Sequence, residues 1–130
     1  MFIDTSAIVA ILTEEVLADE LLSRIADTEL PVSSPLVILE ASMVLSSRLS
    51  IDPLVAEARV RTLLDHAKVA ILAIDERTAT LAIAAFSKYG KGRSNSAKLN
   101  MSDCLSYACA KQHRMPLLYI GDDFAATDLA

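Results

Sequence analysis

At 130 residues, with 53% hydrophobic and 22% charged side chains, the chain carries enough apolar material for a buried core and too much for a disordered segment, which predicts one domain over 1–130. No uncharged apolar run approaches the roughly 20 residues of a membrane span, and the N-terminus lacks the basic start and cleavage site of a secretory signal, so a cytoplasmic protein is expected. The formal net charge of −5 argues against a generally basic surface, yet no acid stands between Arg77 and Ser102, a window that holds Arg77, Lys88, Lys91, Arg93 and Lys98.

The chain opens with a short apolar run, Met1 to Ile3, that ends in Asp4-Thr5-Ser6; Ala7, Ile8, Ala10, Ile11 and Leu12 then predict a strand turning directly into a helix. Val16 to Ala26 reads as a second helix and Leu30 to Ser33 as a short strand. Ser34 as N-cap and Pro35 at the first helical position start a helix to about Leu49. Asp52-Pro53 repeats that signal for a helix to about Ala67, and the β-branched run Val69 to Ile74 predicts a buried strand. Asp75 caps a helix to about Tyr89. Gly90 to Asn100 lacks apolar periodicity and reads as a basic loop, Ser102 is placed as the cap of a helix to about His113, and Leu117 to Ile120 follows Pro116 as the last strand. Strands separated by helices imply parallel pairing with right-handed crossovers: a three-layer α/β/α sandwich on a central sheet of about four to five strands.

Two cysteines, Cys104 and Cys109, fall five apart on one predicted helix, where their side chains diverge, and read as core residues. With His66 and His113 in no paired spacing, any metal here is expected to be held by oxygen. In an open parallel sheet, ligands bind at the carboxyl ends of the strands, and Asp4, Asp122 and Asp123 occupy such ends. Glu40 falls on the stripe Leu36, Val37, Met43 and Val44, where a charge is costly without a counter-charge or metal, so either Glu40 points into a polar cleft or the helix is rotated toward solvent. Asp103 stands in the first turn of its helix, where the dipole favours an anion. Each acid alone has an ordinary explanation as a cap or a turn. Together they are like charges able to converge on one cleft, and such a cluster calls for a cation.

These residues resemble the PIN-domain family, specifically the VapC-type toxins of bacterial and archaeal toxin–antitoxin pairs, over essentially the whole chain. The similar segments are Phe2-Ile3-Asp4-Thr5-Ser6-Ala7, the motif around Glu40, Leu99-Asn100-Met101-Ser102-Asp103-Cys104, and Leu117 to Phe124 with Thr127-Asp128-Leu129. Met101-Ser102 replaces the family's usual Phe-Gly, and Asn95-Ser96 stands where many relatives carry His-Pro. The resemblance implies a metal-dependent endoribonuclease whose acidic site is Asp4, Glu40 and Asp103. The fourth acid is either Asp122, at the strand end and slightly favoured, or Asp123, which precedes Phe124 as in the family's Asp-Phe pair.

Mg²⁺, or Mn²⁺, suits such oxygen ligands and would activate water against a phosphodiester. Thr5 or Ser6 would bond a ligand carboxylate or the phosphate, with Lys91, Arg93 and Lys98 on flanking phosphates. The resemblance further implies an antitoxin partner and a homodimer; the apolar helical residues Ile38, Val44, Leu45, Leu49, Leu54 and Val55 read equally as interface material beyond one small core or as parts of a large core. The alternative is a PIN-fold adaptor that binds RNA or protein without cutting. A phosphatase of the haloacid-dehalogenase type would want Asp-x-Asp where this chain has Asp4-Thr5-Ser6, and a receiver domain would want its acidic pair near the start.

Overall fold

The computed structural model describes residues 1–93 and 96–130; Asn95, singled out in the basic loop, lies outside the described residues. Among these there are four strands, β1 (Phe2–Ile3), β2 (Val32–Ser33), β3 (Ala70–Ile71) and β4 (Leu117–Leu118). Six helices join them: α1 (Thr5–Leu12), α2 (Ala18–Ala26), α3 (Pro35–Leu49), α4 (Pro53–His66), α5 (Glu76–Tyr89) and α6 (Met101–Gln112). All strand pairs are parallel, in the order β3-β2-β1-β4, with Phe2 opposite both Val32 and Leu117.

That order fixes the layers. From β1 to β2 to β3 the chain steps in one direction across the sheet, and from β3 to β4 it jumps back over both. Right-handed crossovers then put α1 to α4 on one face and α5 with α6 on the other. The helix pairs that touch most, α3 with α4, α1 with α2 and α3, and α5 with α6, group accordingly. The reversal leaves a crevice between the carboxyl ends of β1 and β4, the position where doubly wound sheets bind ligands.

Local signals set the helix starts. Ser34 accepts from Val37 N and precedes Pro35, Asp52 accepts from Leu54 N and precedes Pro53, and Asp75 closes a capping box with Thr78. Two expectations are corrected. The cap of α6 is Asn100 rather than Ser102, because Asn100 and Asp103 satisfy each other's backbone N–H. The run Val69 to Ile74 is not a buried strand: only Ala70 and Ile71 pair, both are exposed, and β3 lies at the sheet edge, covered less than the β1–β2 centre. The core gathers Phe2, Ile3, Ile8, Val32, Leu45, Leu99, Leu118 and Phe124 from both sides of the sheet. Cys104 and Cys109 are free and buried, and burial pushes both thiols up to about 11, so they stay protonated as packing residues. Among the described residues no helix is long and apolar enough to cross a membrane.

Candidate active site

Asp4 leaves the end of β1 with its backbone N–H bonded to Leu118 O of β4 at 3.0 Å, and caps α1. Its carboxylate is buried and held at both oxygens: Oδ2 accepts from Ser6 N at 3.0 Å and from Ser6 Oγ at 2.7 Å, and Oδ1 accepts from Ser106 Oγ at 2.7 Å. Ser6 Oγ in turn accepts from Ile120 N at 3.1 Å. One carboxylate thus ties β1, α1, α6 and the segment after β4 together, and its position is set by fixed donors.

Asp103 faces the same crevice one turn before Ser106 on α6, with Oδ2 accepting from Asn100 N at 2.9 Å. Burial pushes its carboxyl up to about 6, against the pull of that hydrogen bond, and the charges of Asp4, Asp123 and Glu40 push further in the same direction. Glu40 reaches the crevice from α3 because that helix is rotated away from the predicted stripe. Its buried face is Val37, Ile38, Ala41, Ser42 and Leu45, while Met43 is exposed and Glu40 is half-buried at the boundary.

After β4 the chain turns at Gly121, whose φ of +95° favours glycine; Asp122 and Asp123 are both exposed, and it is Asp123 that lines the crevice. Phe124, buried and packed 5.0 Å from the Tyr119 ring, anchors the segment just behind Asp123.

The resulting cleft encloses about 480 Å³ and brings together Asp4, Thr5, Ser6, Glu40, Asp103 and Asp123 from the set read in the sequence. Lys91, Arg93 and Lys98 are exposed and do not line it. Their loop closes at its base through Lys91 N to Leu99 O at 3.2 Å and Leu99 N to Tyr89 O at 3.1 Å, one residue before Asn100 at the cleft rim, and the Arg93 guanidinium stacks 5.0 Å over Phe86. Two charged cleft residues escaped the sequence reading: Glu15, just after α1, and Arg48, in the last turn of α3, joined at 3.0 Å. Arg48 was detectable, since Glu40, Val44 and Arg48 follow one another at i+4 spacing on one helix face.

The donor set fits a hard cation. It is made of oxygen, burial and the charges of Asp4, Asp123 and Glu40 raise the proton affinity of Asp103, and the Thr5 hydroxyl beside Asp4 is buried without a hydrogen-bond partner. Among the described residues no three acidic, His or Cys side chains already stand close enough to hold a metal. Unscreened carboxylates repel, and here the oxygens of Asp4 and one of Asp103 are engaged by protein donors instead.

A profile of the PIN domain matches residues 1–129. The chain belongs to the PIN-domain family. Ribonuclease VapC of Mycolicibacterium smegmatis is 43% identical to this PIN domain over 130 residues, covering all of it and 98% of the relative. Ribonuclease VapC28 of Mycobacterium tuberculosis is 39% identical over 127 residues, covering 98% of this PIN domain and 93% of the relative. Among solved structures, Mycobacterium tuberculosis VapC20, described as a sarcin-ricin loop cleaving toxin, superposes with a TM-score of 0.77 at 14% identity over 99% of this PIN domain and 95% of that chain. A chain of a Klebsiella pneumoniae toxin–antitoxin complex superposes with a TM-score of 0.72 at 21% identity, over 98% and 92% of the two chains. At those identities the likeness establishes the α/β fold of this PIN domain, with its parallel sheet flanked by helices.

Proposed function

We propose that the protein is a divalent-metal-dependent endoribonuclease, the toxin of a VapBC-type pair, with Asp4, Glu40, Asp103 and Asp123 as its acidic site. The observation that carries the reading is electrostatic. Four carboxylates from β1, α3, α6 and the segment after β4 line the crevice between β1 and β4, where burial, and after it the charges of the other three, raise the proton affinity of Asp103. Full-length relatives named as ribonucleases support the class of reaction.

Asp4 and Asp103 are the residues best placed to hold Mg²⁺ or Mn²⁺, with Glu40 and Asp123 completing the negative site. A cation bound there supplies charge neutralisation at the phosphate and a more acidic water. The chain's own contribution is placement. Ser6 and Ser106 prevent the Asp4 carboxylate from rotating, the Asn100 N–H holds one oxygen of Asp103, and the unpaired Thr5 hydroxyl is free to bond an incoming ligand or phosphate oxygen. With its carboxyl raised to about 6, Asp103 is half ionised near pH 6, so the site gains its full charge near neutrality.

An antitoxin segment covering this cleft would silence it, and a second copy of the chain would cover exposed apolar residues of α3 and α4 such as Leu39, Met43 and Leu54. The test is cleavage of a mixed structured-RNA pool by purified protein with Mg²⁺, Mn²⁺ or chelator, alongside Asp4→Ala. Cleavage that requires both a metal and Asp4 is expected. Folded protein that binds RNA in a salt-sensitive way but cuts under none of these conditions refutes the reading in favour of an adaptor.

A further inference from the structure

A cleft that receives RNA must attract a polyanion while lined by carboxylates, and here Asp4, Glu15, Glu40, Asp103 and Asp123 all line it. Among the described residues that line it, Arg48 is the one cation. It projects from the same face of α3 as Glu40 and stands two turns further along, about 12 Å by helix geometry. A phosphate it met would be a neighbour of the one being cut. The basic loop residues Lys91, Arg93 and Lys98 do not line the cleft, so they add no positive charge to its lining.

We propose that Arg48 is a substrate-positioning residue that grips a phosphate flanking the scissile bond, and that Glu15 holds it at the rim until RNA arrives; this rests on the ribonuclease reading above. The guanidinium now meets Glu15 through Nη1 and Oε1 at 3.0 Å, and both side chains keep about half their exposure, 54% and 42%. An exposed pair of that kind is weakly held, so Arg48 can exchange Glu15 for a phosphate, which its planar fork of N–H groups matches as well as it matches a carboxylate. Glu15 itself is placed by the backbone. It follows Glu14, at φ +54°, and its N–H bonds Ala10 O at 2.9 Å, so it remains at the end of α1 when Arg48 leaves. Free of RNA, the Arg48 charge is neutralised and the cleft stays acidic, which disfavours indiscriminate binding; with RNA present, one ion pair replaces another.

The exchange makes the two partners act with opposite sign, which a simple clasp between α1 and α3 would not. The experiment measures binding of a fluorescein-labelled mixed-sequence single-stranded RNA by anisotropy in Ca²⁺ across a salt series, with RNA integrity checked on a gel, and cleavage in Mg²⁺, for wild type, Glu15→Gln, Arg48→Gln and the double variant. Arg48→Gln is expected to weaken binding roughly three- to tenfold and to flatten the slope of log K against log salt by about 0.7, the value for one phosphate contact on a single strand. Glu15→Gln is expected to tighten binding by about the same factor, and to have little effect once Arg48 is gone. Wild type that cleaves RNA while both single variants bind with unchanged affinity and slope, or weaken together, overturns the proposal and leaves the nuclease reading standing. Wild type that neither binds nor cleaves overturns both.

Discussion

Replacing Asp103 by Asn should make the metal-free protein more stable while abolishing cleavage. Asp103 is buried beside three other acids, and its carboxyl is raised from 3.8 to about 6. A carboxyl whose folded pKa lies above its unfolded value costs nothing below about pH 4, where it is protonated in both states. The cost grows as pH rises toward 6 and is complete above it. At 1.36 kcal/mol per pH interval the ceiling is about 3 kcal/mol, and allowing for partial hydration of the cleft the expected gain is about 1–3 kcal/mol.

Asn is the right substitution because its side-chain carbonyl can keep the bond from Asn100 N that closes the cap of α6. For a domain of this size 1 kcal/mol moves Tm by about 4 °C, so thermal unfolding in chelator at pH 8 should place the variant roughly 4–12 °C above wild type. Near pH 4 the two curves should coincide. Saturating Mg²⁺ should reverse the order at pH 8 by stabilising wild type alone. A variant no more stable than wild type at pH 8 in chelator would refute the inference that burial, helped by the neighbouring acids, disfavours the ionised Asp103.

Asp123→Asn should lower metal affinity or cleavage roughly 10–100-fold, whereas Asp122→Asn, whose side chain lies outside the cleft, should leave both within about threefold; metal titration of the cleavage rate separates them, and equal losses would show that the turn at Gly121 does not select between the two acids. Ser106→Ala removes a donor from a buried carboxylate and should cost about 1–3 kcal/mol in chelator, partly recovered in Mg²⁺. The comparison is Ser42→Ala, another buried helical serine, whose hydroxyl bonds only Ile38 O of its own helix. Urea unfolding with and without Mg²⁺ checks it, and equal, metal-insensitive losses would remove Ser106 from the site.

The α/β alternation, the proline-marked starts of α3 and α4 and three of the five cleft acids, Asp4, Glu40 and Asp103, were readable in the sequence because each depends on a local pattern: a cap, a period or a strand end. What escaped depends on partners far along the chain. The extent of β3 could not be read from its β-branched composition, because exposure at a sheet edge is set by strand order. The choice of Asp123 over Asp122 depends on a left-handed glycine and on the anchoring of Phe124 in the core. The cleft ion pair joins residues 33 positions apart, and Ser106 meets Asp4 across 102. No window of sequence contains either contact.

The bond from Ile120 to Ser6 and the pairing of Asp4 with Leu118 also bear on synthesis. Asp4 precedes every helix of the domain, but the groups that fix it include Ser106 of α6, Leu118 of β4 and, through Ser6, Ile120 in the segment after β4. A nascent or prematurely terminated chain therefore cannot assemble this cleft however well its first helices fold. For the nuclease proposed above, such a topology delays competence until the segment after β4 has been made, which gives a partner protein time to be present when the site first closes.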